Sequence, residues 1–182
     1  MANLICALDP LCEIYVARVA EDAFGIKADN VAKAIEWAIN QEVDIISMSF
    51  ALSDPGTNLS KKVNEARDRG IIMTCSAHDE GSRVKPAYPA SYREENNEVD
   101  SIIVLAACDQ YGKLLREAAV QEPDYKFQGN HVFAGVVPFV KSEENITGSS
   151  VATAMAAGMC SLILTCDRLA HPGKEYINDA RG

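Results

Sequence analysis

Residues 148–158 read Gly-Ser-Ser-Val-Ala-Thr-Ala-Met-Ala-Ala-Gly, a run in which small side chains dominate. A helix of that composition can pass through the middle of a domain, because small side chains let neighbouring backbones come close. Its first turn carries backbone N–H groups without intrahelical partners and the positive end of the helix dipole. Ser149 and Ser150 fall at that end, where a developing oxyanion would be stabilised. Serine is also a preferred N-cap residue, so a capping role for Ser149 or Ser150 accounts for the same residues.

The segments upstream constrain the fold further. Val31, Ala34, Ile35, Ala38 and Ile39 recur at helical spacing after Asp29-Asn30, which predicts an amphipathic helix over 31–40 capped by one of those two residues. Residues 44–50 are a short apolar run of the kind required by a parallel sheet covered on both faces. A second helix over 58–68, capped by Thr57 and stopped by Gly70, leads into another apolar run at 71–76. With strands expected at 13–19 and 101–107 as well, the alternation predicts an α/β fold with a doubly wound, mostly parallel sheet and right-handed crossovers. Residues 131–138 alternate into an apolar run and are expected to be the last strand before the serine loop.

The wording of these segments carries a resemblance. The run around Ser150 is similar to the catalytic-serine motif of the subtilisin-like serine proteases (subtilases), Gly-Thr-Ser-Met-Ala-Thr-Pro followed by an Ala/Gly-rich helix. Ser149, Val151 and Ala154 stand where that motif has Thr, Met and Pro. Ala-Ile-Glu-Trp-Ala-Ile at 34–39, Val-Asp-Ile-Ile-Ser-Met-Ser at 43–49 and Pro-Ala-Tyr-Pro-Ala at 86–90 also have counterparts in the family, so the resemblance spans about residues 7–165. It implies a serine endopeptidase domain at 1–166, followed by a tail or linker at 167–182, acting on a peptide or protein substrate. Ser150 would attack the peptide carbonyl and form an acyl-enzyme.

A serine hydroxyl needs a histidine to take its proton and a carboxylate to orient that histidine. In subtilases these come from an Asp-Ser/Thr-Gly strand end and a His-Gly-Thr-His helix, and neither motif occurs in the 182 residues. By similarity residues 1–8 match the end of the His-bearing helix, so a fragment, or one half of a larger protein with further domains, is expected. The Asp-bearing strand would lie between the strands at 13–19 and 44–50, leaving the sheet incomplete at its N-terminal side. Exposed sheet edges are a liability, and the chain alone is expected to be poorly soluble or molten.

Two further positions bear on activity. The family's oxyanion-hole Asn falls at Asp79, within Ala77-His78-Asp79-Glu80-Gly81. An ionised carboxylate accepts hydrogen bonds and donates none. Asp79 therefore favours a catalytically inactive pseudoprotease as the alternative reading, serving as a peptide-binding or regulatory module; a protonated Asp79, a loop slipped by one residue, or donation by His78 would preserve activity. The resemblance places substrate-binding residues at Ser49, Phe50, Ala51, Ala77 and His78, with an extended peptide adding as a strand. Phe50 and Leu52 read equally as apolar subsites or as core.

Composition excludes several classes. A formal charge of −9 argues against nucleic acid as a partner. The six cysteines contain no Cys-x-x-Cys pair and have no histidine at ligand spacing, so no metal site is expected. Members of the family can carry calcium, but no calcium site is identifiable here and no cofactor is expected. Buried free thiols suit a reducing, intracellular setting. No signal peptide is evident, although an upstream segment could hold one, and no membrane span is expected. A cysteine hydrolase using Cys75 and His78 is a third reading, weakened by the strand expected around Cys75.

Overall fold

Between residues 28 and 76 helices and strands alternate as the apolar periodicity predicts. The computed structural model describes residues 1–21, 25–77, 86–93, 101–115, 123–133 and 145–172. In order these form α1 (Ala2–Leu8), α2 (Ala28–Asn40), β1 (Ile45–Met48), α3 (Leu59–Asp68), β2 (Ile72–Ser76), a 3-10 turn (Ala90–Tyr92), β3 (Ile102–Cys108), β4 (Tyr125–Gln128), β5 (Val132–Phe133), β6 (Asn145–Ile146) and α4 (Ser149–Ala170). A four-stranded sheet runs in the order β1-β2-β3-β4, with every neighbouring pair parallel. β5 and β6 form a separate antiparallel pair.

The sheet is covered on both faces, as the apolar strands require. Val31, Ile35 and Ile39 of α2 and Leu59, Val63 and Ala66 of α3 pack on Met73 and Cys75 of β2 and on Ile102, Val104 and Ala106 of β3. Fully burying a side chain such as Ile35 or Val63 contributes roughly 1.5–3 kcal/mol. Side chains alternate across a strand, so Leu105 and Ala107 point to the opposite face, where they meet Ala152 and Ala156 of α4. Small residues on both sides of that contact let the 22-residue helix lie close against the sheet.

Helix α1 lies on α4. Leu4 packs with Val151 and Ala154, and a Cβ placed on Gly158 would stand 3.0 Å from Leu8 Cβ and 3.1 Å from Ile5 Cα. Glycine is therefore what permits this crossing. Asp9, buried at the end of α1, accepts hydrogen bonds from Ser161 Oγ at 2.6 Å and Thr165 Oγ1 at 2.9 Å. It also accepts from the Leu11 backbone N–H at 3.1 Å. The Ser161 hydroxyl is the main cause of the lowered pKa of Asp9, which burial opposes and the Leu11 and Thr165 donors reinforce.

Several boundaries differ from expectation. Residues 13–19 form no strand. The sheet ends at β1, and among the described residues nothing pairs with its outer edge, so this segment has no strand beside it. Side chains hold its end instead: Asn30 Nδ2 donates to the Val19 carbonyl and Arg18 Nε to the Ala20 carbonyl. Helix α2 starts at Ala28 with Lys27 as N-cap, so Asp29 lies in the first turn, where its charge complements the dipole. Helix α3 takes Asn58 rather than Thr57 as N-cap. Of the strand expected at 131–138, Val132–Phe133 is seen, and 134–138 lie outside the described residues. Helix α4 continues through Ala170, which lets Arg168 pair with Asp44 just ahead of β1, with one bond at 2.9 Å.

Candidate active site

Those sequence-predicted site residues that are among the described residues lie beyond the C-terminal ends of the strands, where parallel sheets place their ligands. Ser49, Phe50 and Ala51 follow β1, Ala77 follows β2, and Ser150 stands in the first turn of α4. Gly148 is the N-cap of α4, with φ of 134°, a backbone conformation that favours glycine. Its N–H donates to the Gly129 carbonyl at 2.9 Å. Gly129 is equally constrained, since a Cβ there would lie 2.5 Å from Ala107 Cβ and 2.9 Å from the Gly148 oxygen. The serine loop is thus fastened to the end of β4 through two glycines.

This arrangement separates the two readings of the serines. The cap is Gly148 and no side chain caps the helix, so neither Ser149 nor Ser150 serves as N-cap. Ser149 is buried, and its carbonyl accepts from Thr153 Oγ1 at 2.9 Å. Ser150 is half-buried. Its hydroxyl donates to the Ser49 carbonyl at 3.2 Å, and the Ser49 hydroxyl donates to the Ser150 carbonyl at 3.4 Å. The Ser150 hydroxyl therefore lies between a helix N-terminus and the end of β1, with its proton on a carbonyl rather than on a base.

The other expected residues divide. Phe50 packs partly against the core and Leu52 belongs to it, which favours the core reading for both. Leu52 also forms an antiparallel bridge to Tyr88, its N–H donating at 2.8 Å and its carbonyl accepting at 2.9 Å. Ala77 is buried and its N–H donates to the Leu105 carbonyl at 2.7 Å. His78 and Asp79 lie outside the described residues. His171 follows the far end of α4, roughly 30 Å from Ser150 along the helix axis. Cys75 is wholly buried in β2, which removes it as a reachable nucleophile. Among the described residues no group of three or more His, Cys, Asp or Glu could hold a metal ion.

The Subtilase family model matches residues 8–171. The chain belongs to the subtilase family. Among its relatives, this subtilase is 26% identical over 159 residues to the thermostable alkaline protease of Halalkalibacterium halodurans, covering 87% of this chain and 42% of that protein. It is 29% identical over 165 residues to the halolysin-like extracellular serine protease Nep of Natrialba magadii, covering 89% of this chain and 28% of that one. The chain thus spans less than half the length of these relatives. In fold it is similar to the protease domain of PatA, with a TM-score of 0.69 at 16% identity over 91% of this chain and 64% of that one. The maturation protease PagA matches with a TM-score of 0.66 at 18% identity, over 83% of this chain and 54% of that one.

The sequence did not reveal Gly129 as the support of the serine loop, because Ala107 and Gly148, which crowd it, are brought beside it by the sheet and the loop. Nor did it reveal the Leu52–Tyr88 bridge, which joins segments 36 positions apart and leaves no local pattern.

Proposed function

We propose that Ser150 is the nucleophile of a subtilisin-like serine endopeptidase site whose aspartate and histidine are supplied by a segment outside these 182 residues. The observation that carries this reading is the Ser150 hydroxyl at a helix N-terminus that no side chain caps, facing the end of β1. In the working site a histidine takes the proton that Ser150 now shares with the Ser49 carbonyl, and Oγ attacks the peptide carbonyl. The negative charge that forms on the carbonyl oxygen lies near the first-turn N–H groups of α4. The protonated base then gives its proton to the leaving amine, and water releases the acyl group.

The substrate is a peptide or protein segment. It would pair with the backbone at Ser49–Ala51 as an added strand, and it stops there because Tyr88 already occupies both backbone groups of Leu52. Ala77 follows β2 at the same end of the sheet, and the family resemblance alone assigns it and His78 to substrate binding. No cofactor enters this reading, and the six free cysteines support an intracellular setting. The test is an ester-hydrolysis assay on the chain alone and on the chain co-expressed with a subtilase segment bearing the Asp strand and His helix. A burst of product in the combined sample that Ser150→Ala abolishes is expected; no burst from a soluble, folded complex would overturn the proposal.

A pseudoprotease is the second reading, favoured by Asp79 at the oxyanion-donor position. Loss of one such donor costs on the order of 10²–10³ in rate. In the combined sample Asp79→Asn is expected to raise the hydrolysis rate by about 10²-fold if the missing donor is the defect. An unchanged rate removes the argument for this reading.

A further inference from the structure

Cys6 and Cys12 lie on either side of the turn that ends α1, with their sulfurs 4.0 Å apart. The chain reverses at Asp9, Pro10 and Leu11, and Asp9 holds the reversal. Its carboxylate accepts the Leu11 N–H, and its backbone carbonyl accepts the Cys12 N–H at 3.3 Å. The second carboxylate oxygen is fastened to Ser161 and Thr165 of α4. A buried carboxylate thus fixes the two thiols beside each other at the junction of α1 with the serine-bearing helix. Both cysteines are half-buried, so a small reagent can reach them.

We propose that Cys6 and Cys12 form a reversible intramolecular disulfide that clamps the α1 turn at its contact with α4. A disulfide needs its sulfurs about 2.05 Å apart, so closure draws the two sulfurs together from 4.0 Å. The oxidant is a low-molecular-weight disulfide. The Cys6 thiolate attacks one of its sulfurs, forming a mixed disulfide and releasing one small thiolate. The Cys12 thiolate then attacks the Cys6 sulfur, closing the Cys6–Cys12 bond and releasing the second. Two protein thiols lose two protons and two electrons, and one small disulfide becomes two thiols. Burial and the neighbouring Cys6 push the Cys12 thiol up to about 11, which makes Cys12 the poorer first attacker at neutral pH.

The consequence is a redox-controlled α1–α4 contact. The cross-link restricts the unfolded chain, so the oxidised protein melts a few degrees higher than the reduced one. The other four cysteines stand apart from this geometry: Cys75 and Cys108 are buried in strands, and Cys160 and Cys166 sit on α4.

The test uses the whole chain, equilibrated with oxidised and reduced glutathione and quenched with an alkylating agent. Trypsin releases residues 1–18 as one peptide, because Arg18 is the first Lys or Arg, and that peptide holds Cys6 and Cys12 and no other cysteine. The expected product is a peptide lighter by two hydrogen atoms that resists alkylation. In Cys12→Ser the same peptide carries a glutathione adduct on Cys6. In urea the equilibrium constant for closure falls by tenfold or more, since unfolding removes the Asp9-held turn. Recovery of both thiols alkylated under conditions that fully modify the exposed Cys166 would overturn the proposal. So would linkage of either cysteine to another tryptic peptide, or an equal closure constant in urea.

Discussion

Ser150 and Ser49 hold each other by two reciprocal hydrogen bonds, the Ser150 hydroxyl on the Ser49 carbonyl at 3.2 Å and the Ser49 hydroxyl on the Ser150 carbonyl at 3.4 Å. The pair spans 101 positions of sequence and ties the first turn of α4 to the end of β1. It also sets what activation requires. In the proposed site a peptide N–H pairing with the Ser49 carbonyl would displace the Ser150 hydroxyl from that acceptor and leave its proton to the base.

Each of those bonds contributes to stability as a neutral, part-buried hydrogen bond does. Ser49→Ala and Ser150→Ala are each expected to lower the unfolding free energy by about 0.5–1.5 kcal/mol, measured by urea titration of the purified chain. A zero change for both would show that the contact is absent in solution.

Gly129→Ala is expected to be more damaging than either serine variant. Its Cβ would enter space held by Ala107 Cβ and the Gly148 oxygen, so the sheet or the serine loop must shift at a cost of about 1–3 kcal/mol. Ala107→Gly opens half of that contact, and the double variant should recover part of the loss. Urea titration of the three proteins checks the sign and the recovery.

Asp9 makes stability depend on acid. Its pKa is lowered in the folded chain, chiefly by the Ser161 hydroxyl, while the unfolded chain carries an ordinary aspartate near 3.9. The stabilisation is therefore fully present above about pH 4 and is lost as pH falls through the lower folded value. Asp9→Asn removes this part of the acid sensitivity. Its amide also meets two hydroxyl donors that the carboxylate accepted, so the variant should be less stable at pH 7 by roughly 1.5–3 kcal/mol. Thermal melts of both proteins between pH 3 and pH 7 measure the two effects together; parallel curves would contradict the assignment.

What could be read from the sequence was whatever left a local pattern. The Val31, Ile35 and Ile39 stripe predicted α2, and the small-residue run after Gly148 predicted a helix that could lie close to a sheet. The placement of Ser150 at its start followed from the same run. The strand expected at 13–19 had the right residue types, but a strand exists only through its neighbour, and here the sheet ends at β1. Capping was misread as well. Asp29, Asn30 and Thr57 are good caps by type, yet α2 begins at Ala28 with Lys27 as its cap, which puts Asp29 and Asn30 inside the first turn, and α3 takes Asn58. The Asp9 anchor joins positions more than 150 residues apart and had no signature in either segment.

Ser150 is expected to become a nucleophile once a histidine and an aspartate are supplied. A fluorophosphonate probe modifies a serine hydroxyl only when a base activates it, and the modified residue is read by mass spectrometry. The chain combined with a segment bearing the Asp strand and His helix should be labelled at Ser150, and the chain alone should not be. Absence of label on Ser150 in a folded combined sample, or label on a different residue, would rule out Ser150 as the nucleophile.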